Sequence, residues 1–208
     1  MADDEAPAGR VGAGTGLWGG RFREGPAPEL DRLNRSLPFD WRLWPYELRV
    51  DRAWVDELER IGTVDGEAAA ELRAGLDAVE RRLGAAGDGV AGEPDEDIHS
   101  LVERWLTVEV GPLASQVRLG RSRNDVAATD TRMWARDAAA GVDEAAAGLQ
   151  HAILGTAERL LDVVFPAYSH LQQAQPTRAA HWLMSHFWPL TRNRERLAAA
   201  RVGCACCR

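Results

Sequence analysis

Lysine is absent from this sequence, and all 25 of its basic residues are arginine. Neither a lysine Schiff base nor the lysine of a phosphate-binding P-loop can therefore operate within these 208 residues. Cysteine is also scarce, since Cys204, Cys206 and Cys207 all fall in the last five residues. A zinc site needs four ligands at a recognisable spacing. We therefore expect no metal site and interpret residues 203–208 as an aberrant tail.

Long apolar runs are missing as well. No segment approaches the ~20 apolar residues of a membrane-spanning helix, and the acidic start Met-Ala-Asp-Asp-Glu does not resemble a secretory signal. The formal net charge of −7 gives little electrostatic support for binding to nucleic acid. We therefore expect a cytoplasmic protein that has neither a membrane nor a nucleic acid as its partner.

Helical periodicity dominates what the sequence does contain. From about residue 40, apolar residues repeat at spacings of three and four, with a Gly-rich loop over 84–95. The longest such pattern runs from Ser122 to Val164, is expected to end at Pro166, and precedes a helix over 178–201. We predict an all-α fold in four parts: a disordered arm at 1–16, an N-terminal helical domain at 17–117, the first long helices of a truncated central helical bundle at 118–202, and the tail at 203–208.

The segment Arg-Ser-Arg-Asn-Asp at 121–125 stands at the predicted start of the longest helix. Ser122 and Asp125 have the spacing of a helix-capping pattern. Free backbone N–H groups at a helix start attract anions, and arginine can donate two parallel hydrogen bonds to a carboxylate. The segment is therefore a candidate cradle for a dicarboxylate. A capped helix start with solvated arginines is the alternative.

A second polar segment lies between Pro166 and Pro176, and it carries six side chains that can form hydrogen bonds. They are neutral groups beside apolar helices, whereas surface loops more often use Gly, Asp and Lys. His170 in such a setting can titrate near neutral pH, as a proton-transfer group should. A buried polar network that only specifies packing accounts for the segment equally well.

A third polar segment, Glu-Asp-Ile-His at 96–99, opens another predicted helix. Glu103 lies four residues after His99, on the same face of that helix. We interpret the segment as a charged helix start that carries an ordinary surface histidine.

Together these segments resemble argininosuccinate lyase, in the fumarase/aspartase superfamily. Five motifs occur in the family's order: Leu-Trp-Gly-Gly-Arg-Phe at 17–22, Ser-Leu-Pro-Phe-Asp at 36–40, Glu-Asp-Ile-His at 96–99, Gly-Arg-Ser-Arg-Asn-Asp at 120–125, and Pro-Ala-Tyr-Ser-His-Leu-Gln-Gln-Ala-Gln-Pro at 166–176. The resemblance continues through residues 181–197 and covers roughly residues 17–202.

The resemblance implies a cofactor-independent elimination of fumarate from argininosuccinate that leaves arginine, carried out by a homotetramer when the protein is complete. His170 takes the place of the family's catalytic histidine, and Ser169 that of a substrate-binding threonine. Asn124 matches a substrate-binding asparagine, with Ser122 and Arg123 beside it.

Four positions depart from the family pattern. Asp51 stands where a substrate-binding serine is expected, Trp54 replaces a histidine, Leu119 a threonine and Val126 a glutamine. An acidic side chain would repel a dicarboxylate unless it pairs with the arginine end of the substrate. We therefore expect Asp51→Ser to lower the KM of a complete enzyme.

A family segment of the form Gly-Ser-Ser-x-Met-Pro-x-Lys-x-Asn does not occur in these 208 residues. We therefore expect a truncated lyase that is inactive as an isolated chain, and back-translation of the tail suggests a frameshift near residue 203. The alternatives are another superfamily lyase, such as adenylosuccinate lyase or aspartase, and a non-catalytic protein derived from the lyase, either crystallin-like or a helical association module.

Overall fold

The protein is almost entirely helical in a computed structural model that describes residues 27–205. Its α-helices are α1 (Pro28–Asn34), α2 (Leu37–Asp40), α3 (Trp44–Arg60), α4 (Gly66–Ala86), α5 (Ile98–Val110), α6 (Arg123–Arg159) and α7 (Ala179–Ala205). Two antiparallel strands, β1 (Val164–Ser169) and β2 (Gln172–Arg178), lie between α6 and α7. The predicted all-α class is confirmed, and the small hairpin is an addition that the sequence did not predict.

The described part of the chain divides into two compact units, a first unit that ends at Val126 and a second unit that begins at Ala127. In the first unit, α3, α4 and α5 bury apolar stripes against one another, as their spacing predicts. Asp65 and Asp97 cap the starts of α4 and α5, where each carboxylate accepts a backbone N–H at 2.8 Å. The core consists mainly of aliphatic side chains and one indole: Leu37, Leu48, Val55, Leu58, Leu72, Leu76, Val79, Leu83, Ile98, Leu101, Val102, Trp105 and Leu106.

Helix α4 extends into the segment 84–95 that was predicted to be a loop. It continues to Ala86, and a 3₁₀ turn follows at Gly87–Gly92. Burial of Leu83 and of Val90 on either side of this junction pulls the segment onto the core. The predicted loop was therefore wrong for residues 84–86.

Helices α4 and α5 approach closely at Gly75. A Cβ atom built on Gly75 would lie 2.6 Å from Cγ1 of Val110 and 2.8 Å from Cδ1 of Leu106. Both distances are shorter than carbon atoms tolerate without a shift of the neighbouring side chains. The absence of a side chain at residue 75 therefore lets α5 pack tightly on α4.

The second unit consists of most of α6, the hairpin and α7. Polar contacts join the two helices: the Gln150 amide donates to Oγ1 of Thr191 at 2.7 Å, and Nε of Arg194 donates to Oδ1 of Asp143 at 2.6 Å. Both contacts bridge positions more than forty residues apart in sequence. They fix the register of one long helix along the other.

Helix α6 ends earlier than predicted, at Arg159 rather than near Val164. Pro166 does not terminate it, because Pro166 lies inside β1, opposite Pro176 of β2. The β-branched and aromatic residues Val163, Val164 and Phe165 favour an extended backbone. Because these residues are apolar, they continued the three–four spacing of the helix beyond the point where the helix ends.

Two predictions fall outside the described residues: the arm at 1–16 and the motif at 17–22. Cys206 and Cys207 lie outside them as well, so the predicted tail is described only up to residue 205. Across residues 27–205, none of the helices has the length and apolar character needed to cross a membrane.

Candidate functional site

The head of α6 and the turn before it, residues 118–124, carry the polar groups of greatest interest in the first unit. We call this stretch the arginine segment. It reverses direction at Gly120, whose φ of +70° is strained for residues with a side chain. The Ser122 hydroxyl then accepts the backbone N–H of Asn124 at 3.3 Å. Ser122 therefore caps α6 as predicted, and the side chains of Ser122 and Asn124 are exposed.

Arg123 is held by the start of α5. Its Nη1 donates to Oδ2 of Asp97, and its Nη2 donates to the Ser100 hydroxyl at 3.3 Å. The other oxygen of Asp97 accepts the backbone N–H of Ser100. Asp97 thus caps α5 and pairs with Arg123 at the same time, which joins the starts of two helices.

Arg121 is held by α3. Its Nη1 donates to Oδ1 of Asp51 at 3.1 Å, and the two side chains are only 5% and 1% exposed. The guanidinium lies 5.7 Å from the ring of Trp54, within the range of a cation–π contact. The indole N–H of Trp54 donates to the Leu119 carbonyl at 3.1 Å. The turn into α6 is therefore tied to α3 through both its backbone and a side chain.

Arg118 completes the polar network. It donates to Oε1 of Glu47 at 2.9 Å and to the His99 carbonyl at 3.1 Å. Nδ1 of His99 lies 2.7 Å from the other oxygen of Glu47. His99 is 5% exposed, so the prediction of an ordinary surface histidine was wrong. A carboxylate 52 residues away in sequence draws His99 into the interior.

Asp51 is an acid of this network whose pKa is raised. Burial and the nearby Glu47 carboxylate raise its pKa to about 7, while Arg118 and Arg121 lower it by less. Its Oδ2 atom is buried without a hydrogen-bond partner among the described residues. Asp51 therefore changes its charge near neutral pH, next to the arginine segment.

These contacts change two expectations about the candidate cradle. Arg121 and Arg123 are both paired with carboxylates of the first unit. The alternative of a helix start with solvated arginines therefore does not describe them. The negative charge of Asp51 faces Arg121, which removes the reason to expect repulsion of a dicarboxylate. Ser122 and Asn124 are left as the exposed polar side chains of the segment.

Ser169 and His170 belong to the second unit, at the tip of the hairpin. Ser169 pairs with Gln172, so residues 170 and 171 form the turn. His170 and Leu171 have φ values of +51° and +61°, a left-handed backbone that costs non-glycine residues energy. The side chains of Ser169 and His170 are exposed. The alternative of a buried polar network therefore does not hold for this tip.

The structure thus joins Asp51 to the arginine segment within the first unit and places Ser169 beside His170 in the second. Sequence reasoning missed the partners of the arginines, namely Glu47, Asp97 and buried His99. A usable signal existed for one of them. Glu47 lies four residues before Asp51 on the helix stripe that also buries Val55. Two carboxylates on an apolar stripe require buried cations.

Comparison with known proteins places these features in a family. A model of the family described as "Lyase" matches residues 20–205. The curated argininosuccinate lyase of Roseiflexus castenholzii is 44% identical over 182 residues, which is 87% of this chain and 40% of the relative. That of Clavibacter sepedonicus is 44% identical over 200 residues, 95% of this chain and 40% of the relative. The chain therefore spans about 40% of the length of these relatives.

Solved structures give the same picture. A variant of EDDS lyase with bound fumarate is 28% identical to this chain and has a TM-score of 0.67. The matched region is 89% of this chain and 37% of the EDDS lyase chain. A fumarate lyase from Mesorhizobium sp. BNC1 is 19% identical and has a TM-score of 0.61. The matched region is 86% of this chain and 41% of the fumarate lyase chain, and at this identity the likeness is one of fold alone. The arginine segment and the hairpin therefore lie within a fold that lyases share.

Proposed function

The chain belongs to the lyase family of the fumarase/aspartase superfamily, and we propose that it is a portion of an argininosuccinate lyase of arginine biosynthesis. The observation that carries the proposal is the 44% identity to curated argininosuccinate lyases over most of this chain. The bound fumarate in the EDDS lyase structure supports the proposed product. We also propose a cytoplasmic location and a reaction without a cofactor.

We propose that the reaction is the elimination of a guanidino nitrogen from the succinyl group of argininosuccinate. A base removes a proton from the carbon beside a carboxylate, the carbon–nitrogen bond breaks, and an acid protonates the leaving nitrogen. The products are arginine and fumarate. Negative charge that builds on the carboxylate in the transition state requires fixed hydrogen-bond donors.

His170 is the proposed proton-transfer residue. Its exposed ring stands on a strained two-residue turn, and such strain is typical of functional positions. Ser169, next to it, supplies a hydroxyl for the substrate.

The arginine segment is the proposed carboxylate-binding element. Exposed Ser122 and Asn124 offer hydrogen-bond donors at the head of α6, where the helix dipole favours an anion. Arg123 adds positive charge there while Asp97 fixes its position. We assign Asp51 to the same substrate site.

We propose that the complete enzyme is a homotetramer. The long helices of the second unit expose large apolar side chains, as a surface that packs against other subunits does. These residues are Trp134, Val142, Leu149 and Leu154 of α6, and Trp182 and Trp188 of α7. We expect the isolated 208-residue chain to release no fumarate.

A hybrid enzyme tests the proposal. In it, residues 17–202 of this chain replace the matching stretch of the Roseiflexus castenholzii enzyme, which supplies the remainder. We expect fumarate release from argininosuccinate, and none from adenylosuccinate or EDDS. We expect His170→Asn to reduce kcat by at least about 100-fold, the usual contribution of a general acid or base. A folded, tetrameric hybrid that is inactive on argininosuccinate would overturn the proposal.

A further inference from the structure

Two of the positions that depart from the family pattern meet at one side chain. Asp51 and Trp54 lie three residues apart on α3, and both contact Arg121. Trp54 also binds the backbone of Leu119, a third departure, through its carbonyl. Residues that lie far apart along the sequence are therefore one connected set in the structure.

We propose that Asp51 and Trp54 form a clamp on Arg121 and act as positioning residues for the exposed Ser122 and Asn124. The inference deepens the proposed function and depends on it for the nature of the substrate. In this chain Asp51 would serve the substrate through Arg121 and not by touching it.

The clamp fixes the segment at two successive points. Just before the Gly120 turn, the indole N–H of Trp54 donates to the carbonyl of residue 119. Just after the turn, the side chain of Arg121 donates to the carboxyl group of Asp51. The next residue is Ser122, whose hydroxyl caps α6. Little backbone freedom remains between the clamp and the exposed groups at the head of the helix.

The chemistry of the clamp favours a role in geometry over one in stability. Burying an ion pair removes two charges from water, so such pairs often add little net stability while specifying one arrangement. Oδ2 of Asp51, which has no hydrogen-bond partner within residues 27–205, adds a further desolvation cost. The raised pKa of Asp51 agrees, because it reports that the ionised form is disfavoured where it lies.

Hydrogen exchange of the 208-residue chain, read by mass spectrometry, tests the clamp. We expect Asp51→Asn to speed exchange in peptides covering residues 118–126 by at least about tenfold, since a hydrogen bond between charged groups is lost. We expect exchange in α5 to stay as slow as in the wild type. We expect the urea midpoint not to fall, because losing the attraction to Arg121 is offset by removing a buried carboxylate whose ionised form is disfavoured. Trp54→Phe should act in the same direction, and Asp51→Glu should restore slow exchange.

Asp77→Asn is the matched control, because it removes a carboxylate that pairs with Arg52 at the surface of the same unit. We expect no change at residues 118–126 in this variant. Unchanged exchange there in Asp51→Asn would overturn the clamp. Faster exchange throughout the first unit with a lowered urea midpoint would also overturn it, because Asp51 would then be an ordinary stabilising residue.

The hybrid enzyme tests whether the clamp serves the substrate. We expect Asp51→Asn in the hybrid to raise the KM for argininosuccinate about tenfold, with a smaller effect on kcat. An unchanged or lower KM in an active hybrid would contradict the inference. If the parent hybrid is inactive, the proposed function fails, while the exchange measurement still decides whether the clamp exists.

Discussion

Replacing Gly75 by alanine tests the packing that holds α5, the helix whose start carries Asp97 and His99. The new methyl group would lie 2.6 Å and 2.8 Å from carbon atoms of Val110 and Leu106. Overpacking of this kind costs about 1–3 kcal/mol, and two contacts this short belong in the upper half of that range. Alanine recovers about 1 kcal/mol through its higher helix propensity. We therefore expect a net loss of roughly 1–2 kcal/mol.

Gly84→Ala is the matched control, since Gly84 lies in the same helix with nothing within 4 Å of an added Cβ. At Gly84 the added methyl group meets no neighbour, so only the higher helix propensity of alanine acts. We expect the free energy of unfolding to rise by about 0.5–1 kcal/mol. Urea unfolding followed by circular dichroism measures both variants. Equal effects of the two substitutions would refute the close approach of α4 and α5.

Three further predictions follow from the polar network and the hairpin. Because the folded-state pKa of Asp51 is raised to about 7 from 3.8, its contribution to stability is present below about pH 4 and is lost as pH rises through 7. Urea titrations should therefore show Asp51→Asn gaining stability relative to wild type between about pH 4 and 7, and a constant difference would contradict this. Glu47→Ala removes the buried carboxylate that Arg118 and His99 share, while Arg118 keeps Asp51 at 3.7 Å, and we expect a loss of roughly 1–3 kcal/mol in the same assay; a loss below about 0.5 kcal/mol would count against the network. Leu171 is 94% exposed at a φ of +61°, so Leu171→Gly should raise stability in thermal unfolding by about 0.5–1 kcal/mol. Leu171→Ala should not, and equal behaviour of the two variants would argue against a left-handed turn.

Helices that bury one stripe could be predicted from the sequence because their signal is local. Leu72, Leu76, Val79 and Leu83 repeat along α4 with the period of a helix, and all four are in the core. The cap at Ser122 was likewise visible, since it depends on residues two positions apart. In each case the structure is determined by neighbours along the chain.

The hairpin could not be predicted because it lacks the alternation that marks a half-buried strand. All but one residue of β2 are exposed, so neither face has an apolar pattern. Its turn uses His170 and Leu171 where glycine or asparagine would be the usual signal. The polar side chains of residues 166–176 therefore showed that the segment is unusual, but they did not predict a hairpin.

The partners of the arginines were missed for a different reason. Asp51 and Arg121 are 70 residues apart, and Glu47 and His99 are 52 apart. No local period connects such positions, and only the packing of α3 against α5 and the arginine segment brings them together. The same packing reverses the expectation for Asp51→Ser, because the Asp51 carboxyl group holds Arg121 and a serine would release that arginine from α3.

Fumarate release by the hybrid enzyme, with residues 17–202 taken from this chain, tests the central claim most directly. We predict turnover of argininosuccinate, a drop of at least about 100-fold in kcat for His170→Asn, and no turnover of adenylosuccinate. A hybrid that assembles as a tetramer yet leaves argininosuccinate intact, or one in which His170→Asn is as active as its parent, would contradict it.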